Sequence, residues 1–371
     1  MNLLKYTCGL FVVLASFNST FAQSPSFSLE NFYKYNPILE HQVDQVFYAM
    51  NDTTRVAQMV VTSAGELGKP EAVVLKLAQE NKIGGVVFLK GTKESHKGMI
   101  DSLNAIAVAQ NQLPLLFSID AEPSLFNGRL QGTKPMMNTI DIKTTAQADS
   151  IATIINTEIS EIGFHQNFAP VVDISPENEA IKNRSFGNDK ANVIALSIQF
   201  IETSQRQGII ATAKHFPGHG LVTGDTHKKS VYIDGPLQEV AMYPPLIEAG
   251  VISIMMAHIT IRNNPKYNTG DLPASCSKNI VTGLLKEELG FKGLVITDAL
   301  NIMKAVTIID NAPLIASKAG NDMLLMPIDE TKTIASVLQE MQASEAYKTQ
   351  VYESVKKIIR LKICSGLIKR N

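Results

Sequence analysis

The chain of 371 residues contains no tryptophan and only three cysteines. The first absence removes the side chain that most often stacks on sugar rings, although fifteen phenylalanines and nine tyrosines remain. The second excludes a disulfide-built scaffold. Basic and acidic residues nearly cancel, to a net charge of -1, and no basic stretch stands out. That argues against a nucleic-acid partner. No apolar run reaches the roughly 20 residues that a membrane helix requires, so no membrane span is expected. No Gly-x-Gly-x-x-Gly follows the first strand-like run, which counts against a dinucleotide fold, and no cofactor is expected. Low-complexity tracts are absent as well.

The N-terminus has its own pattern. Lys5 precedes a largely apolar stretch, Cys8 to Phe17, and Thr20-Phe21-Ala22 ends in a small residue. These three parts predict a secretory signal peptide over 1–22, cut after Ala22, and a periplasmic or secreted protein. Residues 23–37, polar and bracketed by Pro25 and Pro37, read as a linker. Beyond the leader only Cys276 and Cys364 remain. So wide a separation reads more readily as two buried thiols than as a bridge.

From 38 to the end, short apolar runs alternate with segments of helical spacing. Eight strands are expected: Ala57–Thr62, Gly85–Leu89, Leu115–Ile119, Phe168–Val172, Ile209–Ala213, Ile252–Ala257, Leu294–Thr297 and Met323–Met326. Helices are expected at 38–50, 71–81, 96–110, 145–162, 191–207, 237–249, 278–289 and 351–363. Continuously apolar strands suit a parallel sheet buried on both faces. Eight such units predict an α/β fold, a single (β/α)8 TIM-type barrel over 38–371.

Several of these runs end in a titratable residue: Asp120, Asp173, Lys214-His215, His258 and Asp298. In a barrel the C-terminal strand ends share one mouth, where reactive groups collect. Asp298 can serve there as nucleophile, electrostatic stabiliser or metal ligand. Asp225-Thr226-His227 places a carboxylate beside an imidazole, a pair able to donate a proton and take it back. Lys214 and His215, at a strand tip, suit hydroxyl binding; a buried Lys must meet a carboxylate or a ligand. Asp120, Glu122 and Arg129 follow the third run, and Arg184 follows the fourth. An Arg at the mouth offers a bidentate clamp or a loop-bracing ion pair. Asp173 and His258 read as braces. A zinc site made from His215, His219, Asp225 and His227 is the main rival, but Pro217, Gly218 and Gly220 oppose the helix that would align the first two, so no metal is expected. A sugar-binding barrel without activity is the other alternative.

Lys214-His215-Phe216-Pro217-Gly218-His219-Gly220 with Asp225-Thr226-His227 is similar to the signature of glycoside hydrolase family 3 β-N-acetylhexosaminidases. Thr297-Asp298-Ala299-Leu300, Ser118-Ile119-Asp120-Ala121-Glu122 and Asn183-Arg184-Ser185-Phe186-Gly187 resemble further blocks of that family, in its order. The resemblance implies a retaining, exo-acting hydrolase. Asp298 would be the nucleophile, His227 the acid/base and Asp225 its orienting partner. Asp120, Arg129, Arg184, Lys214 and His215 would hold the N-acetylglucosamine hydroxyls. The implied partner is an N-acetylglucosamine-containing saccharide, a peptidoglycan fragment or a chitooligosaccharide, acted on by a monomer. Asp120 and Arg129 stand nine positions apart where eight is common, and Ala299 replaces a frequent second Asp.

Overall fold

The computed structural model describes residues 27–174, 177–223 and 231–369. The predicted leader, residues 1–22, lies outside them. Eight parallel strands form the barrel: β1 (Val60–Ala64), β2 (Gly85–Phe88), β3 (Leu116–Ile119), β4 (Gln166–Asn167), β5 (Ile210–Phe216), β6 (Ser253–Met256), β7 (Leu294–Thr297) and β8 (Leu324–Leu325). They pair in sequence order from β1 to β7, and β8 pairs with β1 through Val60–Leu324 and Val61–Leu325. A bridge between Ile296 and Met323 brings β7 against β8 and closes the ring. The expected (β/α)8 barrel is the observed fold.

Three strands differ from expectation. The first is Val60–Ala64 rather than Ala57–Thr62, because Ala57 still belongs to a short helix, Asp52–Ala57, capped by the Asn51 side chain. The fourth is shorter and earlier than Phe168–Val172. Pro170 has no N–H to give the ladder, so 168–172 runs beside β5 with isolated bonds such as Val172 N to the Lys214 carbonyl, 2.8 Å. The fifth continues past Ala213 through Lys214, His215 and Phe216. Against β6, Lys214 pairs with Met255 and Phe216 with Met256, leaving His215 as an extra residue. This bulge breaks the alternation that would send Lys214 and His215 to opposite faces.

The helix Thr145–Ile162 has its predicted bounds, with Thr144 and Gln147 forming a reciprocal cap. The segment 237–249 is not one helix. A 3-10 turn at Val240–Met242 precedes the helix Tyr243–Glu248, because Pro244 and Pro245 fit only a first helical turn. The predicted linker docks from Leu29 onward. Leu29 and Phe32 are buried, and Arg360 of the last helix, Glu345–Cys364, donates to the Phe32 and Lys34 carbonyls. Cys276 and Cys364 are free and buried.

Inside the barrel the strands are less apolar than their runs suggest. Gln166 accepts from Ser118 and donates to Thr212 and Ser253, a polar layer across β3 to β6. The floor is closed by Lys362, whose ammonium donates to Gln58 Oε1 and to the Gly84 and Pro114 carbonyls, at 2.7, 2.9 and 2.8 Å. Burial lowers its pKa to about 7. With the bottom sealed, the titratable strand ends open to one side only.

Candidate active site

A cavity of about 430 Å³ occupies the C-terminal mouth of the barrel. Asp120, Arg129, Arg184, Lys214, His215 and Asp298 all line it, so six of the eight site residues expected from the sequence meet there. Asp225 and His227 lie outside the described residues.

One charged cluster is built from the ends of β3, β4 and β5. Lys214 Nζ sits 2.6 Å from Asp120 Oδ1 and 2.5 Å from Glu122 Oε1. Arg184 grips Glu122 with both edges of its fork, Nε to Oε2 at 2.8 Å and Nη2 to Oε1 at 2.7 Å. Arg129 Nη2 reaches Asp120 Oδ2 at 3.1 Å. Arg184 therefore both braces a loop and faces the cavity, the two roles the sequence left open. Burial disfavours the Asp120 carboxylate, but Lys214, Arg129 and Arg184 outweigh it and hold the group well below the usual carboxylate range. The cluster is an array of fixed cations and acceptors that matches the hydroxyl edges of a sugar.

Glu122, only 1% exposed, joins Lys214 to Arg184. Sequence reasoning placed it after the third strand and assigned it no role. Its signal was the two-residue spacing from Asp120, which lets both carboxylates serve one lysine.

Asp173 organises the far end of β5. It accepts from the His215 backbone N–H and from the His219 N–H, and its Oδ2 lies 2.6 Å from His215 Nδ1. With Nδ1 fixed this way, the other ring nitrogen of His215 is directed away from Asp173. His219 also lines the cavity, a position the sequence offered only as a zinc ligand. Among the described residues no three His, Cys, Asp or Glu side chains are grouped to hold a metal. Glu239 is a second organiser that sequence reasoning missed. It is buried and accepts from the Ile174, Gly220 and Leu221 N–H groups at 2.8, 3.2 and 3.2 Å. Burial, with Asp173 nearby, raises its pKa to about 8. No periodicity marks such a contact, because it depends on two loops meeting.

The glycines between these carboxylates are steric requirements. Gly218 has φ +129° and packs on the Glu239 side chain, and a Cβ on Gly220 would overlap the Ile174 carbonyl. Gly220→Ala is expected to cost about 1–3 kcal/mol or more by overpacking, read as a lower denaturant midpoint at unchanged slope. An unchanged midpoint would mean that the loop shifts freely at this point.

Asp298 stands across the cavity at the end of β7. Its Oδ1 accepts from the Ala299 N–H at 2.7 Å. Burial opposes its ionisation, but His215, His258, the Ala299 N–H and Lys214 prevail and lower its pKa. His258 is itself buried, between Ser275 Oγ at 2.7 Å and the Ala299 carbonyl at 3.2 Å, so it braces the turn that presents Asp298. An ionised, partly desolvated carboxylate thus faces a sugar-sized cavity with a polar wall.

Residues 53–361 match the family described as Glycosyl hydrolase family 3 N terminal domain. The chain belongs to glycosyl hydrolase family 3. Family 3 membership makes it a glycosyl hydrolase, and the cavity at the barrel mouth its candidate active site. It is 30% identical over 323 residues to a beta-hexosaminidase of Vibrio cholerae, across 80% of this chain and 92% of that one. A family 3 beta-N-acetylglucosaminidase from Paenibacillus superposes with a TM-score of 0.77 at 28% identity, over 86% of this chain and 63% of that one. A beta-N-acetylhexosaminidase from Beutenbergia cavernae gives 0.75 at 25% identity, over 83% and 97%. The chain thus spans nearly all of the Vibrio and Beutenbergia proteins and under two thirds of the Paenibacillus chain.

Proposed function

We propose that this family 3 protein is a retaining, exo-acting β-N-acetylhexosaminidase that removes terminal β-N-acetylglucosamine. The observation that carries the reading is Asp298, an ionised carboxylate facing a wall of fixed cations and acceptors in one closed-bottomed cavity. The beta-hexosaminidase names of its relatives support the same substrate class. In this reading Asp120, Arg129, Arg184, Lys214 and His215 hold the hydroxyls of the non-reducing sugar. Asp298 attacks the anomeric carbon, the glycosidic C–O bond breaks, and His227 gives its proton to the leaving oxygen. His227 then takes a proton from water, the water oxygen bonds the same carbon, and Asp298 is released. Asp225 orients the imidazole. A His–Asp pair in place of the second carboxyl meets the same demand, a donor whose pKa lies near the working pH.

The test of the acid/base role is a comparison of leaving groups. His227→Ala is expected to slow a disaccharide by roughly 10²–10⁴-fold but a nitrophenyl glycoside far less, because a good leaving group needs little protonation. Equal losses on both would remove His227 from that role. The signal-like N-terminus and the sugar favour peptidoglycan fragments in a periplasm as the natural substrate, with chitooligosaccharides second. Mass spectrometry of purified muropeptides incubated with the protein decides this: release of N-acetylglucosamine supports the reading, and intact muropeptides beside cleaved chitobiose favour the second.

A further inference from the structure

The backbone that leaves β5 is held by two buried polar side chains before it reaches Asp225. The first is Asn178, in the turn after β4. Its Nδ2 donates to the His219 carbonyl at 3.0 Å and to the Val222 carbonyl at 2.6 Å. Its Oδ1 accepts from the Ala180 and Ile181 N–H groups at 2.9 and 3.1 Å. Both amide hydrogens and both lone pairs are thus used within the protein, so the side chain is fixed and has nothing left to offer a substrate. The second is Glu239, which takes the neighbouring N–H groups of Gly220 and Leu221. Between them, Asn178 engages the carbonyls of 219–222 and Glu239 the N–H groups. Val222 and Val231 then share a small apolar cluster with Ala257 and Ile259, so both ends of the segment that contains Asp225 and His227 are anchored. The Asn178 and Glu239 bonds join loop to loop and add nothing to the strand ladder. Buried polar groups in such a place supply direction, which apolar packing does not.

We propose that Asn178 is a positioning residue of the reaction, which sets through the His219 and Val222 carbonyls where the chain delivers the Asp225–His227 pair, with Glu239 as its counterpart on the N–H groups. The inference rests on the proposed glycosidase reading, with His227 as the acid/base. His227 follows Val222 by only five positions. A proton passes to the leaving oxygen only over hydrogen-bond distance, and a displacement of about 1 Å costs on the order of 100-fold in rate. The same asparagine shapes the turn that carries the sugar clamp. Ala180, whose N–H it accepts, gives its own carbonyl to Arg184 Nη1 at 3.0 Å, and Ala180 and Ile181 line the cavity. One side chain is therefore the common reference for the arginine that grips the sugar and for the base of the loop that brings the proton.

Asn178→Asp separates the two functions of the side chain. It keeps the size and the Oδ1 acceptor for Ala180 and Ile181, and it sets an oxygen in place of the two N–H donors against the His219 and Val222 carbonyls. The variant is expected to lower kcat/KM for chitobiose by roughly 10–100-fold and that for nitrophenyl β-N-acetylglucosaminide by less than about threefold, because only the poor leaving group needs the displaced proton donor. Affinity for N-acetylglucosamine, read by calorimetry, should stay at the wild-type value. Both rates come from one preparation, so their ratio does not depend on the folded fraction. Glu239→Ala should move the ratio in the same direction, and Glu239→Gln, which keeps Oε1 for Ile174 and Gly220, should restore it. His227→Ala in the same assay is the benchmark. If it separates the two substrates while Asn178→Asp and Glu239→Ala slow both alike, the two residues are merely structural and the inference is overturned with the glycosidase reading intact. If His227→Ala fails to separate them, the acid/base assignment falls and the inference with it. No hydrolysis of either substrate by the wild-type protein overturns the glycosidase reading itself.

Discussion

Replacing Asp298 by Ala is expected to lower kcat on an aryl β-N-acetylglucosaminide by roughly 10⁴-fold or more, the scale on which losses of a covalent nucleophile fall. The carboxylate sits at a strand end that cannot move, its Oδ1 held by the Ala299 N–H and the turn braced by His258. No other carboxylate among the described cavity residues can replace it, because Asp120 is engaged by Lys214 and Arg129 on the opposite wall. The sign of its pKa shift adds a second test. A lowered pKa keeps the carboxylate ionised to lower pH than an ordinary Asp, so the acid limb of the rate profile should not report Asp298. Asp298→Asn keeps the shape and removes the charge, and it should match the Ala variant in rate while unfolding like the wild type. Loss of less than tenfold in both would end the assignment of the nucleophile.

Glu122→Ala should be the most damaging change to stability within the site, about 3–5 kcal/mol. Glu122 is buried, accepts a bidentate bond from Arg184, and lies 2.5 Å from the Lys214 ammonium. Its removal leaves three cations, Lys214, Arg129 and Arg184, facing Asp120 across low-dielectric space. Lys214 keeps that one acid, but Arg184 keeps only the Ala180 carbonyl, at 3.0 Å. The ordinary result for an exposed pair is a loss of at most about 1 kcal/mol, so denaturant unfolding distinguishes a buried hub from a surface contact. KM should rise alongside, because Lys214 and Arg184 no longer have fixed positions. A loss within the surface range would mean that water enters the cluster and solvates it.

The barrel was legible because its elements are locally encoded. β7, Leu294–Thr297, appears in the sequence as a bounded apolar run, and Thr145–Ile162 as a capped periodic segment. Two of the differences fall where a backbone donor was missing. Pro170 displaced the fourth strand, and Pro244 and Pro245 split the predicted helix over 237–249. The polar layer around Gln166 was illegible for a different reason. A glutamine flanking an apolar run looks like a strand end until four strands are closed around it.

Residue by residue, the order of the chain was enough to specify an alternating α/β fold, its titratable strand ends and the family to which they belong. Those features are set by neighbours in sequence: side-chain period, cap chemistry and the position of proline. Folding in space decided which of those ends share a cavity, and through a one-residue bulge it turned Lys214 and His215 into the same mouth. It also gave Glu122 and Glu239 their partners. Electrostatic and apolar contacts act over a few ångströms in any direction, so groups such as Glu122 and Arg184, 62 positions apart, become neighbours only when the ring closes.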